Sequence, residues 1–95
     1  KWYLLSSYKN IVGIIQKDQG QLELCIETFS ESLDYLNKLD VYSDNDQKVS
    51  ILNNIGEVYK DSEIYDKAIE YYNMGTNVFI GEISYITKAI AAVFY

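Results

Sequence analysis

Sliding the chain by 43 residues along itself brings Gly13 onto Gly56, Cys25 onto Ala68, Phe29 onto Tyr72 and Ser32 onto Gly75. The same shift sets Val12 on Ile55 and Leu33 on Thr76. At Gly13, Cys25 and Ser32 a small residue meets a small one, and apolar residues usually meet apolar ones. Self-similarity at one fixed offset is the strongest constraint on the fold. Each copy is one supersecondary unit that cannot bury its apolar face alone, so the copies must stack.

Apolar spacing is helical nearly throughout. Leu5, Tyr8, Val12 and Ile15 share one face of a first helix, and Leu22, Cys25, Ile26, Phe29, Leu33 and Leu36 one face of a second. A third carries Leu52, Ile55, Gly56 and Tyr59, and a fourth Tyr65, Ala68, Ile69 and Tyr72. A fifth is expected from Glu82 to Tyr95 through Ile86, Ala89, Ile90 and Phe94. Gly20 can take the left-handed conformation that ends a helix. Ser43, Asp44 and Asp46 are candidate N-caps, and Asp61 and Ser62 mark the next turn. Gly81 separates the fourth helix from the fifth. With no period-2 alternation anywhere, the fold expected is all-α, built of antiparallel helix pairs joined by short turns.

The second copy, Leu52-x2-Ile55-Gly56-x2-Tyr59 followed by Ala68-x3-Tyr72, resembles the tetratricopeptide repeat pattern almost position for position. The pattern is steric: Gly56 and Ala68 are small where two helices cross closely, and Tyr59 and Tyr72 fill the flanking space. The first copy keeps Gly13, Cys25 and Phe29 but departs at Lys9, which matches Leu52, and at Gln16, which matches Tyr59. The resemblance covers nearly the whole chain. It implies an α-α superhelix with repeat one at about 2–40, repeat two at about 45–80 and the opening helix of a third at about 82–95. The family's usual unit is about 34 residues, so roughly nine are extra here, between Leu33 and Val49. With no proline to close the repeat, the second helix is free to continue through LNKLD by about two turns. Long repeats of this kind occur in bacterial regulators and animal polarity scaffolds, and the Asn, Ile, Lys and Tyr bias points to the former.

Composition narrows the functional classes. Among 95 residues, 14 acids oppose 8 lysines for a net charge of −6, with no Arg and no His. Nucleic-acid binding favours a basic surface and the Arg fork, and neither is present. An anionic membrane surface is disfavoured for the same reason. No stretch approaches the roughly 20 apolar residues of a membrane span, and none has the form of a signal peptide. The start on KWYLL without a Met reads as a fragment of a larger protein, and a cytoplasmic setting is expected. Cys25, the one cysteine, falls in an apolar set and reads as core. Without His, no nucleophile–base pair can be assembled, so no catalytic residue, metal ligand or cofactor is expected. SDND lacks the Gly and Glu of a calcium loop and is better explained by capping. Glu27, Glu31 and Asp34 on the second helix, and Asp66 and Glu70 on the fourth, read as solvated faces.

The resemblance implies a concave groove lined by the first helix of each pair, which typically receives a peptide. The matching positions are Asn10, Ile14 and Lys17 from the first helix and Asn53, Asn54, Glu57 and Lys60 from the third. Asparagine offers both a donor and an acceptor, so it can pair with any peptide backbone. The Lys and Asn clamp of chaperone-binding members is incomplete: Asn54 fits, Asn10 and Ile14 do not, and the fifth helix offers only Lys88. The function implied is a protein- or peptide-binding module, a sensory, regulatory or scaffolding part of a bacterial signalling protein. The alternative is self-association through the end helices, because Trp2–Leu5 and Val93–Tyr95 are apolar and carry no polar cap.

Overall fold

The computed structural model describes residues 2–38 and 45–94. They form four helices: α1 (Trp2–Asp18), α2 (Leu22–Leu36), α3 (Asn45–Asp61) and α4 (Tyr65–Phe94). The fold is all-α, with α1 packed on α2 and α3 on α4. Both pairs are antiparallel. Trp2 stacks on Tyr35 near one end of the first and Gly13 meets Phe29 further along; Gly56 meets Tyr72, and Gly75 meets Asn53, in the second. The molecule measures 53 × 32 × 15 Å, and α1 and α3 lie side by side with α2 packed against both.

The small residues sit where the repeat puts them. A Cβ built on Gly13 would lie 2.5 Å from the Phe29 ring, and one on Gly56 would lie 2.8 Å from the Tyr72 ring. Each glycine therefore lets an aromatic ring of the opposite helix rest on its backbone. Cys25 and Ala68 are both buried at the matching position. The two turns also repeat. Gly20 (φ 78°) and Glu63 (φ 61°), 43 residues apart, hold the same left-handed position. Gly20 N–H donates to the Lys17 carbonyl and Gln21 N–H to that of Gln16; Glu63 and Ile64 repeat this with Lys60 and Tyr59. These paired bonds satisfy the last carbonyls of α1 and α3.

The core lies between α2 and α3, with one residue of α4 at its edge. Cys25, Phe29 and Leu36 pack with Ile51, Ile55 and Val58, flanked by Leu22, Ile26, Leu33, Tyr59 and Tyr71. Side chains from both hairpins therefore share one core, which joins the pairs into one body.

Three expectations are corrected. The break at Gly81 is absent, and the fourth and fifth segments form one helix of 30 residues. A lone glycine costs a helix only about 1 kcal/mol and stops it by adopting positive φ. Among the described residues, Gly20 alone of the glycines does so. The segment assigned to the opening of a third repeat is thus the distal part of α4. Second, α2 ends at Leu36, and Asn37 and Lys38 form a turn rather than its continuation. Lys38 N–H reaches back to the Tyr35 carbonyl, tightening the last turn, and the Lys38 ammonium lies 5.3 Å over the Trp2 ring. Leu39, Asp40, Ser43 and Asp44 lie outside the described residues; Asp46 sits inside the first turn of α3 and is not its cap. Third, Tyr8 and Ile15 on α1, and Tyr65 and Ile69 on α4, occupy expected core faces yet are exposed.

Candidate functional site

α1 and α3 run side by side, and polar rungs cross between them. Gln47 Nε2 donates to Ser7 Oγ at 3.4 Å, Asn54 Nδ2 to Asn10 Oδ1 at 3.1 Å, and Lys17 Nζ pairs with Glu57 at 3.4 Å. The rungs climb in the same order on both helices, so α1 and α3 are parallel. The amide pair works because each asparagine carries both a donor and an acceptor; one of each is used, and capacity remains on both side chains.

Of the seven groove positions expected from the sequence, four meet in this ladder: Asn10 with Asn54 and Lys17 with Glu57. Ile14 is exposed on α1 beside the ladder, and Lys60 is exposed in the last turn of α3. Asn53 is placed differently. Its Oδ1 would lie 3.2 Å from a Cβ on Gly75, so this side chain leans over the α3–α4 seam. Asn53 and Asn54 are adjacent in sequence, and one residue turns a helix by about 100°. Only Asn54 points to α1. Ser7 and Gln47 extend the ladder and were not anticipated. Their pairing spans 40 residues, and no local spacing reveals it.

Other polar groups are engaged structurally. The Lys9–Glu31 ion pair (3.0 Å) ties α1 to α2 where the second hairpin has Leu52, and the Glu31 carboxylate raises the Lys9 ammonium's pKa. Glu31 is thus paired, while Glu27, Asp34 and Asp66 are exposed and Glu70 faces Lys67 across one helical turn. Ser32 Oγ donates to the Ser6 carbonyl at 2.6 Å, and the two hydroxyl oxygens are 3.1 Å apart, which satisfies two buried serines. Gln16, at the position of Tyr59, buries its Oε1 without a hydrogen-bond partner among the described residues. Cys25 donates from Sγ to the Leu22 carbonyl, and burial pushes its thiol pKa up, which suppresses thiolate chemistry.

Two open clefts flank α3. One, of about 460 Å³, is bounded by Leu33, Leu52, Met74 and Val78 with Asn37, Asn77 and Lys48 at its edge. The other, of about 280 Å³, lies between Leu22, Ile26, Val58 and Tyr59. Neither holds the converging polar groups that fix a small ligand. Among the described residues, no group of three or more His, Cys, Asp or Glu could hold a metal ion, and no helix is long and apolar enough to cross a membrane. No protein-family model, curated protein or solved structure matches the chain.

Proposed function

We propose that the chain is a tetratricopeptide-like interaction module that binds a protein or peptide along the α1–α3 face. The observation that carries this reading is the amide pair Asn10–Asn54, set between parallel helices with exposed Ile14 beside it. A strip of amides next to an apolar residue offers backbone hydrogen bonds and one side-chain contact, the combination an extended peptide uses. The glycine–aromatic crossings of Gly13 with Phe29 and Gly56 with Tyr72 support the repeat resemblance on which the groove assignment rests. A net charge of −6 without Arg favours a protein or peptide over nucleic acid. The long repeat and the residue bias further suggest that the module serves a bacterial signalling or regulatory protein.

The test is a peptide selection read by NMR. A binder taken from a random library is expected to shift the side-chain amide signals of Asn10 and Asn54. Replacing both with Ala is expected to abolish binding while leaving helicity in place. Binding that leaves those signals unmoved, or survives the double substitution, would place the partner elsewhere.

A second reading, self-association, is favoured by the exposed apolar faces of α1 and α4.

A further inference from the structure

The internal repeat identifies what the exposed faces match. Within the chain, α3 covers α2: Ile51 and Val58 of α3 are 0% and 2% exposed and pack in one cluster with Phe29 and Leu36, flanked by Leu22 and Ile26. Moving back by 43 residues, Ile51 and Val58 become Tyr8 and Ile15 of α1, which are 62% and 50% exposed. Moving forward by the same step, Leu22, Ile26 and Leu36 become Tyr65, Ile69 and Phe79 of α4, each more than half exposed. The outer face of α1 and the outer face of α4 are therefore the two halves of an interface the chain already makes once, between α3 and α2. Both halves kept large apolar residues at those positions, and both stand uncovered.

We infer that a second copy of this chain covers these faces, with α1 of one copy lying on α4 of the next as α3 lies on α2. Leu4 and Ile11, also exposed on α1, widen the apolar side of the contact. Charge does not oppose it. Up to Lys17, α1 carries only Lys9 and Lys17, each already paired with an acid, and no Asp or Glu. The net charge of −6 is thus borne largely elsewhere, and the one acid of α1, Asp18, is its last residue. The contact joins two different surfaces, so it is heterologous. Each added copy offers a fresh α4 face, and the assembly grows head to tail until it closes or is capped. This contact does not depend on the peptide-binding reading.

Heterologous pairing has a signature that a symmetric dimer lacks. The intact chain is expected to show a light-scattering mass that rises on concentration from 11.0 kDa past that of a dimer. Ile15→Glu blocks the α1 face and Ile69→Glu the α4 face, and each variant alone is expected to stay monomeric. Mixed at equal concentration, they retain one good face each and are expected to form a one-to-one dimer that grows no further. Tyr8→Lys with Phe79→Lys repeats the design at separate positions. Circular dichroism checks that each variant stays helical, and a pair that misfolds is replaced by the other. A strictly monomeric intact chain, a folded single variant that still self-associates, or a mixture that stays monomeric would overturn the inference.

Discussion

The hairpins α1–α2 and α3–α4 make the same crossing with different rings, and the rings meet different fates. Phe29 rests on Gly13 and is fully buried; Tyr72 rests on Gly56 and is half-buried. The difference does not come from the crossing. The α3 helix packs against the other side of α2 and seals Phe29, whereas the far side of α4 carries no helix among the described residues. A residue's burial in a stacked repeat is thus set by the neighbouring unit as much as by its own. The chemistry follows: a phenolic hydroxyl is tolerated at 72, where one side is open, and a plain phenyl stands at 29, where a hydroxyl would need a buried partner.

The comparison can be broken by substitution at matched positions. Phe29→Ala is expected to cost about 3–5 kcal/mol in denaturant unfolding, and Tyr72→Ala less, about 1–3 kcal/mol. Equal losses would refute the claim that the neighbour sets the burial. Next in size, Gly13→Ala drives a methyl into a ring with nowhere to go, at about 1–3 kcal/mol. Gly56→Ala is expected to be milder, because the Tyr72 ring can shift toward solvent and Ala recovers about 1 kcal/mol of helix propensity.

The turns sharpen the same comparison with a change of sign. Gly20→Ala forces a side chain into the left-handed region and is expected to lower stability by roughly 1 kcal/mol. Glu63→Gly removes that strain and is expected to be neutral or to raise the melting temperature slightly. If both substitutions destabilise alike, the turns are not equivalent.

The smallest effect is on pH dependence. Burial raises the Cys25 pKa above its ordinary value, so its contribution is intact below the unfolded thiol's pKa, about 8.5, and is lost as pH rises through the folded value. Tyr71, raised by burial, and Lys9, raised by Glu31, act with the same sign from about pH 10. Stability is therefore expected to fall first above about pH 8.5. Cys25→Ala, which copies Ala68 of the second hairpin, is expected to delay that fall to about pH 10 in urea titrations.

What could be read from the sequence was what each hairpin decides for itself. Gly13, Phe29, Gly56 and Tyr72 announce their crossing by composition and spacing, and Gly20 announces its turn. Glu63 does not, because nothing about a glutamate signals positive φ; only its place in the repeat does. Features formed between hairpins were harder to read. Asn54 and its neighbour Asn53 are chemically identical, and which one reaches Asn10 depends on the rotation of α3 against α1. The continuity of α4 through Gly81 was missed because a glycine with open space around it permits a helix as readily as a turn.

That continuity gives the molecule a lever. At about 1.5 Å per residue, α4 beyond Gly75 is an arm of roughly 28 Å, held at its base where Tyr72 and Gly75 cross α3. Crossing angles of packed helices vary by ~15–20° with the side chains at the contact. Over such an arm that variation displaces the tip by ~7–10 Å, so the crossing at Gly56 and Gly75 aims the far end of the helix.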